Sequence, residues 1–228
     1  KLGRSRRTIK ENFVFYKKEH AMGLTIHYSA TIRRLDQLPA LVAEVEDICR
    51  SMSWPSHRVD DTVDVPAAAV PLEPGPEDPK AVHIQGILFT PPDCETVVIA
   101  CTPTGRLSSP INLEAAPLYP DPELVYSVHV KTQFAGPDTH AALVLLLKYL
   151  EKKYFRDMEV YDEGEYWDSL DKARLESQFR KYRSLINLVK SALEQEERPA
   201  AGDAGKLADQ IEKLLRKRFG MEGGAGEG

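Results

Sequence analysis

The sequence predicts an α+β fold, and three observations carry that prediction. Residues 24–32, "LTIHYSATI", alternate Ile26, Tyr28, Ala30 and Ile32 against Thr25, His27, Ser29 and Thr31, the period of a half-buried strand. Apolar residues Leu38, Leu41, Val42, Val45, Ile48, Cys49 and Met52 follow at spacings of three and four, the stripe of an amphipathic helix. Later strand patterns come as a run of hairpins rather than alternating with helices, which excludes a wound parallel sheet.

Along the chain, Asp36 is expected to cap the first helix and Trp54-Pro55 to end it. A short strand is expected near 58–65. Residues 65–80, "VPAAAVPLEPGPEDPK", hold five prolines and read as a mobile loop. Residues 81–89 and 96–102 form a hairpin joined by "TPPDCE". Residues 103–123 show no regular period, and 124–134 return to strand alternation. Gly136-Pro137-Asp138 opens an apolar helix lying across the sheet. A short strand, "DMEVY", precedes a long amphipathic helix over 168–197 and a last helix with Leu207, Ile211, Leu214, Leu215 and Phe219 on one face. This order fits a ferredoxin-like, split βαβ core over 22–168 with an extra β-hairpin. A C-terminal helical appendage follows over 169–219, and 220–228 form a disordered tail.

A 42% hydrophobic share with 29% charged residues over 228 positions is globular composition. No membrane span and no secretory signal is legible. Cys49, Cys94 and Cys101 have no paired spacing and read as reduced thiols in a cytoplasm, with Cys49 and Cys101 as core filler. The net charge of −5 conceals an asymmetry: residues 1–20 carry seven Lys or Arg against Glu11 and Glu19. Met22-Gly23 stands just before the first strand, so 1–21 is expected to be a non-native basic leader. Without it the body is acidic and nucleic acid is not the expected partner.

"VKTQFAGPDTH" followed by "EVYDEGEYWDS" resembles a pair of segments in uncharacterised bacterial proteins that begin near "MGLTIHY". The resemblance covers roughly residues 22–186. It implies a bacterial cytosolic protein and carries neither an activity nor site residues.

The densest candidate site is the acidic joint at 159–169. Gly164 is expected to supply a positive φ in the turn Asp162-Glu163-Gly164, and Asp168 or Ser169 to cap the next helix. Tyr166 and Trp167 pin the helix entry. That accounts for the joint as a solvated turn, and leaves Asp162, Glu163 and Glu165 as candidate hard ligands for Mg²⁺ or Ca²⁺, a docking patch, or a general acid beside Trp167. A second set is His27, His83 and His129 on strands, with His140 in the first turn of the apolar helix. Imidazoles with Glu159 or Asp162 suit Zn²⁺ or Fe, while the bland reading is a polar sheet face. No nucleophile elbow, Walker loop or dinucleotide fingerprint is present. The basic, apolar-striped "EKLLRKRF" points to helix packing, self-association or a partner contact.

These readings converge on a soluble, non-catalytic binding or protein-interaction module without a cofactor, self-associating through its C-terminal helices or binding a protein partner. The alternative is a metal-dependent hydrolase using His27, His129 or His140 with Asp162, Glu163 or Glu165 to activate water. A second alternative is an RNA-binding sheet face.

Overall fold

A computed structural model describes residues 24–65, 80–119 and 121–195. The basic arm, most of the proline-rich loop and the apolar stripe at 207–219 lie outside these. The chain divides into two units, residues 1–179 and 180–228. Of the second, only helical residues 180–195 are described.

The first unit is mixed helix and strand, with two antiparallel three-stranded sheets. One has the order β5-β1-β6, from Val128–Lys131, Thr25–Ile32 and Phe155–Asp162. Because β5 and β6 each run antiparallel to β1, they are parallel to each other across it. Such a pair needs a crossover, and α3 (Gly136–Lys153) supplies it. The other sheet has the order β2-β3-β4, from Ser56–Val65, Lys80–Phe89 and Val97–Cys101. α1 (Leu38–Ser51) connects the first strand to this sheet, and β2 and β3 pair over their full ten residues.

Two devices join the sheets. Residues 105–108 run between them: Leu107 N–H donates to Ala30 O (2.9 Å) and Ser108 N–H to Ala100 O (3.0 Å). The Tyr28 hydroxyl, on a fully buried ring, donates to Val98 O at 2.9 Å and accepts from Val98 N at 3.3 Å. A side chain of β1 thus takes the place of a ladder partner for β4. Burial pushes the phenol up, against the bond to Val98.

Each sheet has its own apolar packing. Ile26, Tyr28 and Val130 of β1 and β5 are buried, as are Leu143, Val144 and Leu147 of the apolar run of α3. Val63, Val65, Val82, Ile84, Ala100, Leu113, Ala116, Val125 and Tyr126 form a second cluster. It lies under α2 (Pro110–Glu114) and two 3₁₀ turns, Ala116–Leu118 and Pro122–Tyr126. These turns replace the patternless loop expected at 103–123 and shorten the strand expected at 124–134. The cause is local: Asp121 caps Glu123 N at 3.0 Å, and Pro122 presets a helical first position.

Asp36 does not cap α1. Its carboxylate is bound by Arg34, residues Leu35–Gln37 form a 3₁₀ turn, and the helix starts at Leu38 with Pro39 in its first turn. α1 is held to α3 by Glu44, which accepts from Lys153 Nζ at 2.7 and 2.8 Å and from the hydroxyls of Tyr149 and Tyr154. Burial pushes this carboxyl up, but those donors win and hold it at about 2. The long helix expected from 168 is broken. Residues Tyr166–Ser169 form a single turn, α4, Leu170 adopts φ +50°, and α5 runs Lys172–Gln195. No helix among the described residues is long and apolar enough to cross a membrane.

Replacing Tyr28 by Phe keeps the ring and removes the bonds to Val98. The expected cost is about 1–3 kcal/mol in urea denaturation, the usual range for orphaned buried groups.

Candidate functional site

Three residues from three elements meet beneath the start of α5. Thr132 follows β5, His140 sits in the second turn of α3, and Asp162 ends β6. Thr132 Oγ1 lies 2.7 Å from His140 Nδ1, and His140 Nε2 lies 2.9 Å from Asp162 Oδ1. Thr132 and His140 are 0% exposed and the Asp162 side chain 1%.

Leu24 O already accepts Thr132 N–H at 2.8 Å and lies 3.1 Å from Oγ1. The Thr132 hydroxyl donates to that carbonyl, which can only accept, and its lone pairs face His140 Nδ1. The contact of Nε2 with the carboxylate is close but does not have hydrogen-bond geometry. Asp162 is gripped mainly by backbone: Oδ1 accepts from Gly164 N (2.7 Å), and Oδ2 from Tyr166 N and Trp167 N (both 2.8 Å). Burial pushes its carboxyl up, yet His140 and the backbone N–H groups together hold it below the usual range.

The acidic joint is therefore built differently from the solvated turn the sequence suggests. Asp162 is inside and caps α4 from four residues ahead. Positive φ falls on Glu165 (+59°), not on Gly164. Gly164 is needed for space, since a Cβ there would lie 2.7 Å from His140 Nε2 and from Leu175 Cδ1. Glu163 Oε2 accepts from Thr25 N at 2.9 Å and fastens the start of β1. Glu165 pairs with Arg174 on the surface. Asp171, rather than Asp168 or Ser169, caps α5 by accepting from Arg174 N at 3.0 Å. Phe179 meets the His140 ring edge-on at 5.7 Å, and Leu175 and Phe179 are both buried.

The other histidines are elsewhere. His27 faces His129 across β1 and β5, with ring centroids 5.6 Å apart, and pairs with Tyr161 on β6. Asp162 pairs with Ile26, the next residue of β1, and so points to the opposite face. The sheet stands between His27 and His129 on one side and His140 and Asp162 on the other. Of the candidate residues, His140 is brought to Asp162, whereas His27 and His129 are brought to each other. His83 lies in the other sheet, with Nε2 3.1 Å from Asp60 Oδ1. No cluster of three or more His, Cys, Asp or Glu suited to a metal occurs among the described residues.

Thr132 was not legible as a site residue. Its tie to His140 depends on a turn, closed by Ala135 N–H to Thr132 O (3.0 Å), that turns β5 into α3. Hydroxyl, imidazole and carboxylate stand in the order of nucleophile, base and orienting acid. Here they are sealed from solvent and fasten strand ends to helix starts. Compared with protein-family models, curated proteins and solved structures, the chain matches none.

Two outcomes follow. Gly164→Ala should cost about 1–3 kcal/mol of stability, the range for forcing extra volume into a packed site. The depressed Asp162 carboxyl contributes stability in full above its ordinary value of 3.8, and the contribution is lost as pH falls through its lower folded value. Asp162→Asn should accordingly cost about 3 kcal/mol at neutral pH. Its melting temperature should also fall less steeply than wild type under acid, as thermal scans from pH 7 to pH 2 will show.

Proposed function

We propose that the chain is a non-catalytic binding or protein-interaction module acting in a bacterial cytoplasm. The observation that carries this reading is the contrast between its sealed polar chemistry and two apolar side chains held outward. Ile111 is 74% and Leu118 83% exposed. They stand seven residues apart, Ile111 on α2 and Leu118 at the end of the following 3₁₀ turn. Leu113 and Ala116 of the same run are buried in the second core cluster, so the platform is anchored. A rigid apolar pair of this kind suits a partner surface, each side chain contributing about 2 kcal/mol when covered.

The same reading takes β5, α3 and β6 around β1 as a ferredoxin-like, split βαβ unit, with β3 and β4 as the extra hairpin. It keeps self-association through the C-terminal helices as a second contact. The buried, unpaired thiols Cys49 and Cys101, the latter pushed up to about 12 by burial, support a reducing compartment. The hydrolase alternative would need the His140–Asp162 pair to reach water. An RNA-binding face would need stacked aromatics where β1 and β5 carry His27 and His129.

The test is the full chain with Ile111 and Leu118 both replaced by Asp, compared with wild type by light scattering over a concentration series and by cross-linking in bacterial lysate. Wild type should form a defined complex, with itself or one protein, that the variant loses at unchanged melting temperature. A complex indifferent to the substitutions, or none at all, contradicts the proposal.

A further inference from the structure

We propose that His27 and His129 form a cross-strand bis-imidazole site for a late first-row divalent ion such as Zn²⁺. The inference goes beyond the interaction reading and uses none of its residues. The two histidines are directly opposite in the antiparallel β1–β5 register, so the backbone ladder fixes their spacing. An imidazole nitrogen binds zinc at about 2.0–2.1 Å, which puts each ring centre roughly 3.2 Å from the ion. Two such rings at a tetrahedral angle have centres about 5.2 Å apart. The observed separation is 5.6 Å, with ring planes 34° apart. A few tenths of an ångström of side-chain adjustment closes the difference.

The surroundings suit a cation. His27 is 8% exposed and His129 is exposed, which leaves an entry from the β5 side. A neutral imidazole is the form that binds metal. Glu95 is held beside β5, its Oε2 accepting from Lys131 N at 3.0 Å and its Oε1 4.0 Å from Lys131 Nζ, so a carboxylate and an ammonium both stand near the site. With two protein nitrogens, water completes the coordination and the affinity falls in the micromolar range.

Zinc chloride titrated into the full chain, prepared without a His tag, tests this by calorimetry alongside NMR of the histidine rings. One ion should bind, with ring shifts confined to His27 and His129. His27→Asn and His129→Asn should each weaken binding at least about tenfold, while His83→Asn, the control for the His83–Asp60 pair, leaves it unchanged. His129→Asn is the decisive variant, because its exposed position spares the fold, and an unchanged melting temperature verifies that. No binding, or binding that survives His129→Asn or is lost in His83→Asn, overturns the proposal. None of these outcomes bears on Ile111 and Leu118, so the two proposals fail separately.

Discussion

The carboxylate of Asp162 is the constraint around which the first unit is assembled. A buried charge is tolerated only when its lone pairs are occupied by donors held in place. Here Gly164, Tyr166, Trp167 and His140 supply four contacts from two segments. Through His140 the contact reaches Thr132, and through Thr132 the start of β1 at Leu24. One carboxylate thereby aligns the end of β6, the start of α4, the first turns of α3 and the entry to β1. Phe179 and Leu175 of α5 then close over the group.

The junction of the sheets follows a related logic. The pairing of β5 with β1 stops at Tyr28 and Val128, and β4 is the outer strand of its sheet, so stretches of β1 and β4 would leave backbone groups unpaired. Tyr28 and residues 105–108 fill those vacancies with one side chain and one short extended segment. Arg106 in that segment lies 3.5 Å over the Tyr126 ring and pairs with Glu123 at 2.7 Å, tying the junction to the second core cluster. Polar side chains therefore do at both places what a longer strand would do elsewhere.

What was legible in the sequence was what periodicity reports. The alternation of β1, the stripe of α1, the β3–β4 hairpin and the apolar α3 all stand where the pattern puts them. The shared parity of His27 and His129 was also visible, and the register sets them opposite each other, with His27 buried. Contacts that depend on which strands are neighbours were not legible. Nothing in the spacing of Thr132, His140 and Asp162 reveals that a turn and a crossover bring them within 3 Å. Gly164 looked like a turn residue because glycines usually serve φ, whereas here the imidazole behind it requires the missing Cβ. Asp36 looked like a cap until Arg34 claimed its carboxylate.

The central claim is that His140 and Asp162 act as one unit. A double-mutant cycle in urea denaturation with His140→Asn and Asp162→Asn, each alone and together, measures it most directly. Contacting members of a buried network show coupling of about 0.5–3 kcal/mol, and a value above about 1 kcal/mol is predicted, with the double variant losing less than the single losses combined. Single losses that add to within about 0.3–0.5 kcal/mol would show that the two side chains act independently, and would contradict the account.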